Sequence, residues 1–199
     1  MEIMIGLGIV LAILAFVVVS AYNGLVSLRA QYKNGFAQID VQLKRRLDLI
    51  PNLVKTAKTY LDHESEVLVK VTEARAQMNK AREEAKANPG DATAMANLVA
   101  ADQVLGQAMS GFNLQMEAYP DLKANETIGQ LMEELTSTEN KVAYSRQGYN
   151  DLAQAFNEKR QSFPTVMFAG MLGFGTDATH LEFAEPRETL EAAPEVSFD

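Results

Sequence analysis

The sequence predicts an all-α protein, an N-terminal transmembrane helix followed by a long antiparallel helical bundle. Three observations predict it. Ile3 to Ala21 is a nineteen-residue apolar run with no charge and no proline. Further on, apolar residues recur three and four positions apart over long stretches, the period of a helix that buries one stripe. Between residues 25 and 162 there is no sustained strand alternation. The chain divides into an anchor (1–21), a bundle (22–162), and an apolar glycine-rich strap with an acidic C-terminal tail (163–199).

The anchor comes first. At a rise of ~1.5 Å per residue its length matches the ~30 Å hydrocarbon core of a bilayer. Ile3, Leu7, Val10, Leu14, Phe16 and Val18 are the lipid-facing candidates, and Tyr22 falls where aromatic side chains favour the membrane interface. Glu2 is the only charged side chain ahead of the run, whereas a secretory signal peptide opens on a basic region. Gly8 and Ala12 form a small-xxx-small pair that can seat helix against helix. No Lys or Arg precedes the span, and Arg29 and Lys33 follow it. The positive-inside rule then sets the N-terminus outside and the bundle in the cytoplasm.

The next segment holds Ile39, Leu43, Ile50, Val54, Ala57, Leu61, Leu68 and Val71 in one helical phase on both sides of Pro51. The preserved phase predicts one long helix kinked at Pro51, where a backbone hydrogen bond is lost. The other arrangement starts a fresh helix at Asp48, with Pro51 in its first turn, and gives four long helices instead of three. Asn88-Pro89-Gly90-Asp91 is a turn, with Asp91 placed to cap the helix that follows. That helix carries a stripe of Met95, Leu98, Asp102, Leu105, Met109, Phe112, Met116 and Tyr119. Asp102 is its odd member, either exposed at the seam's edge or buried and in need of a partner. Tyr119-Pro120-Asp121 ends the helix, and Asn125 caps the last one. The last stripe runs Ile128, Leu131, Leu135, Thr138, Val142, Ser145, Tyr149, Leu152, Phe156, Lys159 and Phe163, with small polar residues at Thr138 and Ser145 that admit a close neighbour. Both connections are short, which predicts antiparallel neighbours.

Particular blocks resemble the LemA family of bacterial membrane proteins. They are Tyr22-Asn23-Gly24-Leu25-Val26, Ile39-Asp40-Val41-Gln42-Leu43-Lys44-Arg45-Arg46 and Asp48-Leu49-Ile50-Pro51-Asn52-Leu53-Val54. His63-Glu64, Ala74-Arg75, Tyr119 to Asn125, Thr138-Glu139, Arg146, Tyr149-Asn150, Phe163-Pro164 and Gly173-Phe174 extend the likeness to about residue 183. The resemblance implies a short anchor, a membrane-adjacent helical bundle in a bacterial inner membrane, and no established enzymatic activity. Relatives of that family include a magnetosome-membrane protein linked to making membrane vesicles, which implies a part in membrane shaping. Two positions depart from the family pattern: Phe36 stands where a Trp is usual, and Val166 where an Asn is favoured.

Charge is unevenly placed within a net −8. Tyr22 to Tyr60 holds seven basic residues against Asp40 and Asp48, and Asp177 to Asp199 holds seven acidic residues against Arg187. An acidic chain without a basic face argues against nucleic acid as a partner. Lys44-Arg45-Arg46 is the sharpest cluster, either a solvated face with internal ion pairs or a contact for anionic lipid or an acidic partner. On a straight helix Lys44 lies ~35 Å beyond Ala21, several Debye lengths from the leaflet charge, whereas Arg29 at ~12 Å still feels it.

Phe163 to Gly175 is apolar, rich in glycine and too short to span. It is either a strap docked on the bundle or a hydrophobic contact with membrane or another subunit. Little in the chain suggests catalysis. His63-Glu64 lacks the second His of a zinc-peptidase helix, since position 67 is Val67, and His180 is the only other histidine. Cysteine is absent, and Gly170, Gly173 and Gly175 are not followed by the Lys-Ser/Thr of a phosphate loop. No cofactor or metal is expected. The expected function is a non-catalytic, membrane-anchored bundle that binds lipid, self-associates and organises membrane, with Arg29, Lys44, Arg45, Arg46, Phe168, Met171, Leu172 and Phe174 as candidate interface residues. The alternative is a monomeric adaptor or sensor for another membrane protein, a protease or signalling protein.

Overall fold

A computed structural model describes residues 1–61 and 65–182. Its elements are α1 (Glu2–Ala57), α2 (Ser65–Ala87), α3 (Ala92–Glu117), the single turn α4 (Pro120–Lys123), α5 (Glu126–Gln161) and a 3₁₀ turn at Thr165–Met167. There is no strand among the described residues, so the all-α bundle with a long apolar N-terminal helix holds. The pair His63-Glu64 and the acidic tail beyond Glu182 lie outside the described residues.

Helix α1 is 56 residues long and unbroken. Its residues up to Phe16 are exposed throughout; burial begins at Val17 and Val18 and is complete at Ala21 and Leu25. The apolar span therefore projects from the bundle as the same helix that then enters its core. Within the bundle α1 buries Tyr32, Phe36, Ile39, Leu43, Leu47, Ile50, Leu53 and Ala57, a stripe at three- and four-residue spacing.

The expected continuation of this helix to Val71 is corrected. α1 passes through Pro51 without a break, but it ends at Ala57, and α2 begins at Ser65. The fresh helix capped by Asp48 does not form either. The apolar phase is shared across the break because Leu61 caps the same core that Ile50 and Leu68 enter. Phase alone does not tell a continuous helix from two that bury into one seam.

α2 and α3 form a hairpin around Gly90, whose φ of +88° is a left-handed conformation that glycine adopts without strain. Asp91 caps α3 by accepting from the Ala94 amide at 2.9 Å. α2 returns along α1, with Arg75 beside Leu47 and Arg82 beside Asp40. Asn125 caps α5 by accepting from Ile128 N at 3.1 Å.

α5 packs chiefly along α1, antiparallel to it, and not along α3 as the short connection suggested. The reason is size: Tyr32 and Phe36 on α1 meet Tyr149 and Phe156 on α5 edge to face, at 5.2–6.4 Å between ring centres. Gly35 lets the two helices close, since a Cβ there would stand 3.0 Å from Leu152 and 3.4 Å from the Tyr149 backbone. The last stripe holds as far as Phe156, but Phe163 is exposed because α5 ends at Gln161. α1 and α5 are longer than the α2–α3 hairpin, and the strap from Thr165 to Leu181 covers the length left over, burying Thr165, Ala169, Phe174, Ala178 and Leu181.

Candidate functional site: the internal ion network and the docked strap

Two arrangements collect most of the residues singled out in the sequence. The first crosses the middle of the bundle. Arg46 is buried, and its guanidinium donates to Asp102 of α3 at 2.8 Å and to Glu139 of α5 at 2.7 Å. Asp102 lies between the two alternatives: it is half-buried, with 22% of its side chain exposed, and it has the partner that a buried carboxylate needs. Desolvation raises its pKa above the ordinary 3.8; Arg46 and Arg146 pull it down, and Glu139 adds to the rise. Further back on α1, buried Asp40 takes Arg82 on one carboxylate oxygen and Lys86, at 3.2 Å, on the other. Arg82 also reaches Glu83. These groups tie α1 to α2, α3 and α5 by geometry that a purely apolar seam does not supply.

The basic triplet is therefore not one surface. Arg46 is an internal cation and is removed from any external interface, because its heptad position points it at α3 and α5. Arg45 stays half-exposed and pairs with Glu134, and Lys44 is exposed.

The second arrangement is the strap. Arg29 donates to the Gly173 carbonyl at 2.8 Å and stands 4.1 Å over the Phe174 ring, a cation–π geometry. Phe174 is buried and touches Tyr22 edge to face at 5.8 Å. Arg29 and Phe174, both candidates for an outside partner, are thus partners of each other. Phe168 and Leu172 are half-buried, and Met171 is exposed. Asn157 clamps Ala178, accepting its amide at 2.8 Å and donating to its carbonyl at 2.9 Å. Asn150 does the same for Leu181 at 2.8 and 3.0 Å. The Tyr149 hydroxyl donates to the Thr179 carbonyl at 2.7 Å, and burial pushes its pKa well above the ordinary 10. Arg160 pairs with Asp177. The Thr179 amide closes the strap onto the Gly90 carbonyl at 3.0 Å.

Sequence reasoning missed Asn157 and the Asp40–Arg82 pair. The signal for the clamp was present: Asn150 and Asn157 stand seven residues apart, on one side of the α5 stripe. Phe36 is 1% exposed, its ring against Tyr149, so the phenyl group fills its place in the core. Val166 is half exposed and lies on the strap's outer face. His180 faces α3 near Met95, Val99 and Gln103, with Nε2 buried. Among the described residues no three His, Cys, Asp or Glu side chains gather as metal ligands.

Protein LemA of Metamycoplasma hominis is 27% identical over 162 residues, covering 81% of this chain and 69% of that protein. Magnetosome protein MamQ of Magnetospirillum gryphiswaldense and magnetosome protein MamQ 1 of Paramagnetospirillum magneticum are each 24% identical over 185 residues, covering 83% of this chain and 67% of theirs. The model of the LemA family matches residues 35–198, from the middle of α1 through the bundle and the strap. With its long apolar N-terminal helix, this is a membrane-associated helical protein, and the chain belongs to the LemA family.

Proposed function

We propose that the protein is a non-catalytic scaffold that self-associates at the bacterial inner membrane and organises or remodels the bilayer, with its N-terminus outside and its bundle in the cytoplasm. The observation that carries this reading is the continuity of α1, one helix from the apolar span to the core of the bundle. Such a joint holds the bundle at a set angle to the membrane. A tethered enzyme needs no fixed angle, whereas a scaffold transmits its own geometry to the bilayer through one. Two of the relatives are named as magnetosome proteins, which supports a membrane-organising role. Lys33, Lys44 and Lys55 stand exposed at eleven-residue spacing, stacked on one face of α1. That face suits the acidic tail of a second copy.

The test is the particle mass of the full chain in gentle detergent, beside a chain ending at residue 182. The cut spares the docked strap. Large regular particles that shrink on truncation are expected; monomers in both samples overturn self-association. The chain has no cysteine, so a single Tyr144→Cys at an 81% exposed site reads sidedness. Labelling from outside intact cells by an impermeant maleimide would reverse the proposed orientation. A groove of about 310 Å³ at the far end of the bundle, floored by Val54, Leu61 and Leu68, favours the adaptor reading instead. A monomer whose crosslinks fall on another protein at this groove would establish it.

A further inference from the structure

The apolar segment after α5 has two faces. The amides of Val166, Ala169 and Leu172 donate to the carbonyls of Ser162, Thr165 and Phe168 at 2.9–3.0 Å, four residues back in each case. These are helical turns, so residues three and four apart share a side. Thr165 and Ala169 are buried on the inner side, with Phe168 and Leu172 half-buried beside them. The outer side carries Phe163, Val166, Met167 and Met171, which are 79, 50, 62 and 88% exposed. No charged residue occurs from Phe163 to Thr176. The outward face is as apolar as the inward one.

Its position is given by the contacts on either side. Gly24 on α1 stands opposite Lys159 on α5. Since α5 runs antiparallel to α1, Ser162 lies ~4.5 Å further along, near the level of Ala21. The segment returns at Phe174, against Tyr22. The loop from 163 to 173 thus sits beyond the end of α5 at the level of Val17 to Ala21, where burial of α1 begins. That is the last turn of the apolar span. Arg29 is fixed behind it on Gly173 and Phe174, with Lys159 and Arg160 at the end of α5. An apolar tip backed by cations at the exit of a membrane span has the order of an interfacial anchor, with side chains in the acyl region and charges at the headgroups.

We infer that Phe163, Val166, Met167 and Met171 form a second, interfacial membrane contact that seats the bundle flush on the bilayer, its occupant being lipid and not protein. The inference rests on the membrane span of the proposed function but not on self-association. Two points then hold the bundle instead of one, the helix that crosses the bilayer and the loop beside it.

The chain has no tryptophan, so a single introduced Trp is a unique reporter. Met171→Trp and Met167→Trp would be placed in the full chain in phosphatidylcholine/phosphatidylglycerol vesicles, with and without phospholipid brominated high on the acyl chains. Phe16→Trp reports the span, and Leu114→Trp, at a 71% exposed site on α3, reports the water-facing bundle. Circular dichroism confirms that each variant keeps its helix content. Blue-shifted emission at 167 and 171, quenched by bromolipid as Phe16→Trp is, is expected, while Leu114→Trp stays red-shifted and unquenched. Red-shifted, unquenched emission at 167 and 171 with Phe16→Trp quenched overturns the contact and leaves the span intact. Quenching at none of the three overturns both. Blue-shifted but unquenched emission at 171 means that protein covers the face, and that also overturns the inference.

Discussion

Arg75 donates from Nε to the carbonyl oxygen of Leu47 at 2.7 Å. Leu47 is four residues before Pro51, so its carbonyl is the one that Pro51, lacking an N–H, leaves without an intrahelical donor. An arginine of α2 repairs the ladder of α1. Arg75→Met should leave that carbonyl without its partner and destabilise by about 1–3 kcal/mol. Pro51→Ala restores the N–H, and in that background the same Arg75→Met change should lose most of its effect. A double-mutant cycle by denaturant unfolding of the full chain in detergent measures this coupling. Additive losses would mean that Arg75 acts elsewhere.

The same pair shows what the sequence can and cannot say. Pro51 and Arg75 both stood out as marked positions, but neither names the other, because the link exists only once α2 folds back from Ala57. The periodic stripes of α3 and α5 needed no such knowledge; their apolar faces are local, and most of their large members are buried as expected, with Met116, Tyr119, Leu131 and Leu152 half-buried and Phe163 exposed. Helix caps are local as well, and Asp91 and Asn125 cap α3 and α5 at the expected residues. What was illegible is partner choice. Arg46 and Lys44 differ by two residues, and only the packing of α1 against α3 and α5 decides that one is buried and the other exposed. Likewise the composition of residues 163–175 announced an apolar segment, but its division into an inner and an outer face depends on where α5 stops.

The buried network predicts an unusual pH response. The carboxyl of Asp102 is raised by desolvation, against the pull of Arg46 and Arg146 and with the push of Glu139. A raised carboxyl binds its proton more tightly in the folded state. Its contribution is therefore greatest at acid pH and is lost as pH rises from the ordinary 3.8 through the folded value. Asp102→Asn should remove this slope and gain on the parent protein as the pH rises. Arg46→Met strips the cation from a half-buried anion and should destabilise by about 2 kcal/mol at neutral pH. That loss should shrink in acid, where Asp102 takes up a proton. Unfolding curves of the three proteins across the carboxylate range decide it, and a loss for Arg46→Met that does not vary with pH would contradict the assignment.

The strap should detach as a unit when its clamp is removed. Asn157 and Asn150 each hold both backbone groups of one strap residue. Asn157→Ala leaves the Ala178 amide and carbonyl without partners, at a loss of about 2–3 kcal/mol if both stay buried. Asn157→Asp keeps the acceptor for the amide but sets a carboxylate against the carbonyl, so it should recover little. Tyr149→Phe removes only the bond to Thr179 and should lose about 1 kcal/mol. Hydrogen exchange at residues 178–182 is the direct readout: Asn157→Ala should raise it ahead of exchange in α1 and α5. Uniform acceleration across the bundle would mean that the strap is an integral part of the core and not a separately docked segment.

Two glycines with the same backbone conformation separate strain from packing. Gly90 and Gly173 have φ of +88° and +81°. Alanine at either takes on the left-handed penalty, about 1 kcal/mol. At Gly173 a Cβ meets nothing within 4 Å, so Gly173→Ala should lose little more than that. At Gly90 the Cβ would come 3.2 Å from the Tyr32 ring and 3.3–3.4 Å from Ala178. Both neighbours are buried, and the Gly90 carbonyl also holds the Thr179 amide. The ring and the strap must both shift, so Gly90→Ala should lose about twice as much as Gly173→Ala and should also loosen residues 178–181 in hydrogen exchange. Equal losses at the two sites would show that the hairpin tip and the strap are not in packed contact, and the α2–α3 turn would then have no part in holding the strap against the bundle.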